Sequence, residues 1–137
     1  MATNSERGTK RRFGQAFSYP LKAGAKINKG AVVALQNGLA IAGIAAANLT
    51  VVGVAAFTAD NSAGGDAATA VNVLRDTFFL ENAAGADGIT AADIGRDCFL
   101  VDDETVAKTN AANTRSRAGR IDHVEPGGVW VFINGAR

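Results

Sequence analysis

The sequence predicts an all-β fold, a small single-domain β-barrel or β-sandwich with a clip-like form among the options, and three observations predict it. Val, Ile, Leu and Phe gather in short runs broken by Gly, Asn, Asp and Pro, the pattern of strands joined by turns. An Asn37-Gly38 pair lies between two such runs, and Asn-Gly readily takes the positive φ angles that a tight hairpin needs. A helix-start signal is carried by Thr90-Ala91-Ala92-Asp93 alone, so at most one short helical turn is expected. The 137 residues suit one domain, burying roughly 65–70% of its unfolded surface.

Taken in order, residues 1–15 are a flexible basic arm in which Arg7, Lys10, Arg11 and Arg12 have few apolar neighbours to fix them to a core. Residues 16–137 form the single β-rich domain. The core begins with Phe17 to Leu21, and Ile27 starts a short extended piece. A strand over Ala31 to Leu35 turns at Gln36-Asn37-Gly38 into Leu39 to Ala42. Ile41 to Ala47 is Ala-rich but short and flanked by Gly, so it is expected as loop or turn. Thr50 to Phe57 is a β-branched run suited to a buried strand, with Gly53 marking a bulge or a close backbone approach. Ala59 to Ala68 gathers Asp, Asn, Ser and Gly, as a solvated surface loop does.

Ala70 to Leu74 and Thr77 to Glu81 stand two residues apart, the spacing of a hairpin whose turn, Arg75-Asp76, lacks the favoured Gly. After a loop over Asn82 to Gly88, the capping box at Thr90 and Asp93 predicts one helical turn closed by Gly95. Strands follow at Asp97 to Val101, near Val106, at Ala118 to Val124 and at Val129 to Ile133, with Pro126-Gly127-Gly128 turning the last pair.

The charge balance of +1 gives no global field for nucleic acid or membrane. The N-terminus lacks the apolar stretch of a secretory signal, and the Ala-rich stretch Ala31 to Phe57 is too interrupted to span a membrane. Asn48-Leu49-Thr50 fits a glycosylation triplet that is common by chance. Cys98, inside Cys98-Phe99-Leu100-Val101, is expected as an inert core thiol. His123 is the single His, so the usual zinc ligand sets cannot be assembled. A Ser-His-Asp triad lacks the Gly-x-Ser-x-Gly elbow, and Gly64-Gly65 belongs to no phosphate loop. These residues point to no catalytic, cofactor or metal site and to no small-molecule substrate.

Asp102-Asp103-Glu104 is expected as a solvated turn, with an inter-subunit salt bridge or cation site as the alternative. Thr114 to Arg120 holds Arg115, Arg117 and Arg120, whose guanidinium forks suit carboxylate or phosphate. No aromatic platform lies among them, which favours a protein or subunit contact, or an ordinary exposed loop, over nucleic acid. Trp130 is expected in the core, or as an interface anchor.

The order of segments resembles the head decoration, or capsid cement, proteins of tailed phages. The matching residues are Leu21-Lys22-Ala23-Gly24-Ala25-Lys26-Ile27-Asn28-Lys29-Gly30-Ala31-Val32-Val33-Ala34-Leu35 and Gly53-Val54-Ala55 with Asp60-Asn61-Ser62. They continue with Ile89 to Cys98, Val101 to Ala107, Thr114 to Arg120 and Gly128-Val129-Trp130-Val131. The resemblance implies a non-enzymatic virion protein, made in the bacterial host cytoplasm, that binds the major capsid protein on the outer capsid surface, commonly as a homotrimer. It brings no catalytic residues, and the arm is its least similar part. Another minor head or tail protein, or a small carbohydrate-binding β-domain, is the alternative. Contact candidates are Arg7, Lys10, Arg11, Arg12, Asp60, Asn61, Arg115, Arg117, Arg120 and Trp130.

Overall fold

The computed structural model describes residues 16–135. In chain order its strands are β1 Ala16–Pro20, β2 Lys26–Ile27, β3 Val32–Gln36, β4 Leu39–Ala42, β5 Thr50–Ala55, β6 Ala59–Asp60, β7 Ala70–Leu74, β8 Asp76–Asn82, β9 Asp97–Leu100, β10 Thr105–Ala107, β11 Arg117–Glu125 and β12 Gly128–Ile133. Two 3₁₀ turns, Gly85–Asp87 and Ala91–Asp93, are the helical elements among these residues. The second is the expected capping box, in which the Thr90 amide donates to Asp93 Oδ2 at 2.8 Å. The first was not anticipated.

Among the described residues ten of the twelve strands form two units, and β2 and β6 pair separately. A five-stranded antiparallel sheet has the order β1-β7-β5-β3-β4, and five strands close into a barrel in the order β10-β8-β12-β11-β9, β10 running parallel to β8. A bridge between Leu21 and Ala40 curls the two ends of the open sheet toward each other. The hairpin β3–β4 turns at Asn37 and Gly38, both at positive φ.

Each unit surrounds a core, and β3 and β5 supply both. Val32, Ala34, Val51 and Val54 join the barrel's Leu80, Cys98, Leu100, Val106, Ile121, Val129, Val131 and Ile133. Val33, Val52 and Ala55 face the other way, onto Phe17, Leu21, Ile27, Val71 and Val73. Neighbouring side chains on a strand point to opposite faces, so a strand between two cores has to be apolar along its length. Thr50 to Ala55 satisfies this with a bulge, the β3–β5 register shifting between Val33 and Ala34. A Cβ on Gly53 would fall under 3.0 Å from the Leu74 carbonyl oxygen. The expected bulge and the expected close approach therefore meet at one residue.

Two local pairings differ from expectation. β7 and β8 form no hairpin: β7 pairs with β1 and β5, while β8 pairs with β12 and β10. Arg75 carries the chain from one unit to the other, its guanidinium 3.8 Å over the Phe17 ring and its Nη2 donating to Tyr19 Oη at 2.6 Å. With its side chain held against the sheet and no Gly at the turn, the chain passes straight on. The loop expected over Ala59 to Ala68 opens with strand β6, paired with β2 through Lys26↔Asp60 and Ile27↔Ala59. The buried Ala59 methyl is its apolar anchor.

Polar groups fasten the two units together. Buried Ser116 accepts from the Leu49 amide at 2.9 Å and donates to the Ala46 carbonyl at 2.6 Å. The Val32 amide donates to the Asp103 carbonyl at 2.8 Å, and Ile44 bridges Asp102. The Asp102–Glu104 turn is thus a backbone joint whose Asp102 and Glu104 side chains remain exposed. Glu81 beside Glu104, then Asp102 and Asp103, holds the Glu104 carboxyl above its ordinary value by repulsion. Cys98 is buried as expected, and desolvation pushes its thiol up to about 12.

Candidate functional site

The outer wall of the barrel is built by β8, β12 and β11. Along β12 the side chains alternate: Val129, Val131 and Ile133 point inward, and Trp130 and Phe132 face out. The register sets Trp130 beside Phe79 on one flank and His123 on the other. The Phe79 and Trp130 rings lie 5.1 Å apart at 53°, a tilted pair. Phe79 also lies across Gly128, where a Cβ would meet its ring under 3.0 Å. Trp130 Nε1 donates to Glu125 Oε1 at 3.1 Å. Trp130 therefore does not enter the core; it is half-buried on the outside, with Phe79 and Phe132 each 44% exposed around it. Exposed aromatic side chains grouped on one face are characteristic of contact surfaces.

Phe132 continues this wall into a cleft. Arg120 stands opposite Phe132 in the β11–β12 register, and Arg117, Arg120, Phe132 and Asn134 line one recess of about 200 Å³. A second recess of about 460 Å³ shares both arginines and is also lined by Leu49, Thr50, Val51, Asp97 and Ala118. On a regular strand residues three apart face opposite sides. The β9–β11 register shifts between Arg117 and Gly119, Ala118 and Gly119 are buried in succession, and both arginines emerge exposed into the same cleft.

The remaining contact candidates separate by environment. Arg115 is turned inward: Nη1 pairs with Asp87 Oδ2 and donates to the Thr109 carbonyl at 3.2 Å. This guanidinium, with the Thr109 hydroxyl, holds the Asp87 carboxyl below its ordinary value. Arg117 Nε donates to Asp97 Oδ1 at 2.7 Å yet stays accessible. Arg120 has no ion-pair partner among the described residues.

Asn61 is 3% exposed, and its Nδ2 donates to the Lys22 carbonyl at 3.0 Å and the Gly65 carbonyl at 2.9 Å. It staples the loop and cannot reach a partner. Asp60 is exposed but accepts from the Ser62 amide and hydroxyl, which lowers its pKa. Arg7, Lys10, Arg11 and Arg12 lie outside the described residues.

The structure thus brings Arg117 and Arg120 together with Phe132, and sets Trp130 beside Phe79 on the same outer wall; Phe79 and Phe132 are not among the residues that the sequence singles out. The signal for Phe132 was present: Val129 to Ile133 alternates aliphatic residues with the outward Trp130 and Phe132. Among the described residues no three His, Cys, Asp or Glu side chains converge on a metal position, and no helix is long and apolar enough to cross a membrane. Comparison with family models, with curated proteins and with solved structures returned no match.

Proposed function

We propose that this chain is a non-enzymatic structural protein of a phage virion, which binds the major capsid protein on the outer surface of the assembled capsid and stabilises the shell. The resemblance spanning Leu21 to Ile133 is the source of this reading. The observation that carries it furthest is the outward aromatic wall of Phe79, Trp130 and Phe132 running into the Arg117–Arg120 cleft. Aromatic and Arg side chains dominate the energetics of protein contacts, and this wall places both on one rigid sheet. A body whose two cores share β3 and β5 would suit a clamp.

A homotrimer belongs to the same reading. Each copy would contribute its basic residues Arg7, Lys10, Arg11 and Arg12, and three weak tethers on one particle raise the effective concentration of each. The test is to add the purified chain to assembled shells that lack it, then to measure co-sedimentation and shell melting and to map the particles by cryo-electron microscopy. Bound density over the outer surface and a raised shell melting temperature are expected. Native particles without matching density would remove the reading.

A further inference from the structure

We infer that the cleft between β5 and β11 is a carboxylate-recognition site that takes an acidic, extended segment of the shell subunit, an inference that rests on the shell-binding function above. Arg117 and Arg120 face one another's space because of the bulge at Ala118, so two guanidinium groups address a single occupant. Arg120 has no ion-pair partner among the described residues, which leaves its five donors available for a bidentate carboxylate contact. Phe132, 44% exposed in the adjoining recess, would pack an aliphatic side chain next to that carboxylate. A volume of about 460 Å³ suits a few side chains.

The same geometry favours a protein segment over a nucleic acid. Asp97 lies inside the cleft on Arg117, and its carboxylate would face a chain carrying a negative charge at every step. An acidic peptide can set one carboxylate on Arg120 and turn an uncharged residue toward Asp97. Among the described residues Phe132 is the one aromatic lining either recess, whereas single-stranded nucleic acid uses successive stacking platforms.

The test uses the full chain in two assays. In the first, the isotope-labelled protein is titrated with the peptide acetyl-Ala-Glu-Leu-Glu-Ala-amide, with its Gln counterpart and with a single-stranded oligonucleotide, at low and high salt. Saturable amide shifts confined to Thr50, Val51, Arg117, Arg120 and Phe132 are expected with the Glu peptide alone. Affinity should fall about tenfold in Arg120→Gln, which disturbs no ion pair among the described residues, and further in the double variant Arg117→Gln/Arg120→Gln. Equal shifts with the Gln peptide, shifts elsewhere on the surface, no saturable shift, or preference for the oligonucleotide would each overturn the site.

In the second assay, wild type and Arg120→Gln are bound to assembled shells, with melting curves confirming that both fold. A comparable loss of shell affinity supports the inference. Undiminished shell binding by the variant overturns the cleft as the docking point and leaves the function standing. A wild-type chain that ignores shells while still taking the Glu peptide overturns the shell as the source, and the function with it, but not the carboxylate site.

Discussion

Strands β5 and β11 each contain a bulge with a Gly pressed against a neighbouring strand, and the two bulges do opposite work. In β5 the register shift lets Val51 and Val54 serve one core while Val52 and Ala55 serve the other, with Gly53 against the Leu74 carbonyl. In β11 the shift buries Ala118 and Gly119 in succession, with Gly119 against the Phe132 carbonyl, and turns Arg117 and Arg120 to the same side. One bulge fits a strand between two cores; the other displays charge. The difference lies in what flanks each strand, since β5 has apolar layers on both faces and β11 has solvent on one. A local irregularity gains its role from the layer it faces.

Substituting the two glycines separates these roles. Gly53→Ala puts a methyl against backbone that cannot move without disturbing both cores, so overpacking should cost about 3 kcal/mol, roughly 10 °C in Tm. Gly119→Ala meets the Phe132 carbonyl and a Val131 methyl on a wall open to solvent, and should cost less, about 2 kcal/mol. Thermal unfolding of the two variants checks the order. The Gly119 variant should also lose binding to the Glu peptide, because moving the bulge parts Arg117 from Arg120. Peptide binding unchanged in a destabilised Gly119→Ala would show that the bulge does not set the arginine pair.

A second contrast lies within the arginine segment, where Arg115 is inward and its two neighbours outward. Just before it, Ala111, Ala112 and Asn113 all adopt positive φ, at 49°, 57° and 67°. This left-handed turn is closed by the Thr114 and Arg115 amides donating to the Asn110 carbonyl at 3.0 and 3.1 Å. Left-handed backbone costs a residue with a Cβ roughly 1–2 kcal/mol. Ala111→Gly and Ala112→Gly should therefore each stabilise the fold by about 0.5–1 kcal/mol, net of the greater freedom Gly has when unfolded. A fall in Tm in either variant would count against relief of strain.

How much of this was legible follows from sequence distance. The β3–β4 hairpin and the Thr90–Asp93 capping box were legible because each depends on residues within a few positions, and Gly53 and Cys98 were legible because each interrupts or extends a local apolar run, although their partners lie far off in sequence. The misassigned β7–β8 hairpin shows the limit: proximity in sequence suggested a pairing that Arg75, held by Phe17 and Tyr19 more than fifty residues upstream, does not allow. Asn61 looked like a loop-tip contact because its carbonyl partners at Lys22 and Gly65 leave no mark in the local pattern. Within the candidate surface, composition drew attention to the arginines. Which of them face solvent depended on a bulge and on Asp87, twenty-eight residues from Arg115, and neither is written in the segment itself.

A change of pH tests that inward arginine directly. Asp87 is held below its ordinary value of 3.8 chiefly by the Arg115 guanidinium, so its charged form is favoured in the folded state. A carboxylate depressed on folding contributes stability that is fully present above its unfolded value and is lost as pH falls through the lower, folded one. Arg115→Gln should therefore cost about 1 kcal/mol at neutral pH, the partly exposed pair being screened by solvent. That difference from wild type should shrink as pH falls below about 4. Denaturant unfolding of both chains at pH 7 and pH 3 checks it. A deficit of the same size at both pH values would mean that Arg115 stabilises the loop through its stem and its bond to the Thr109 carbonyl, not through Asp87.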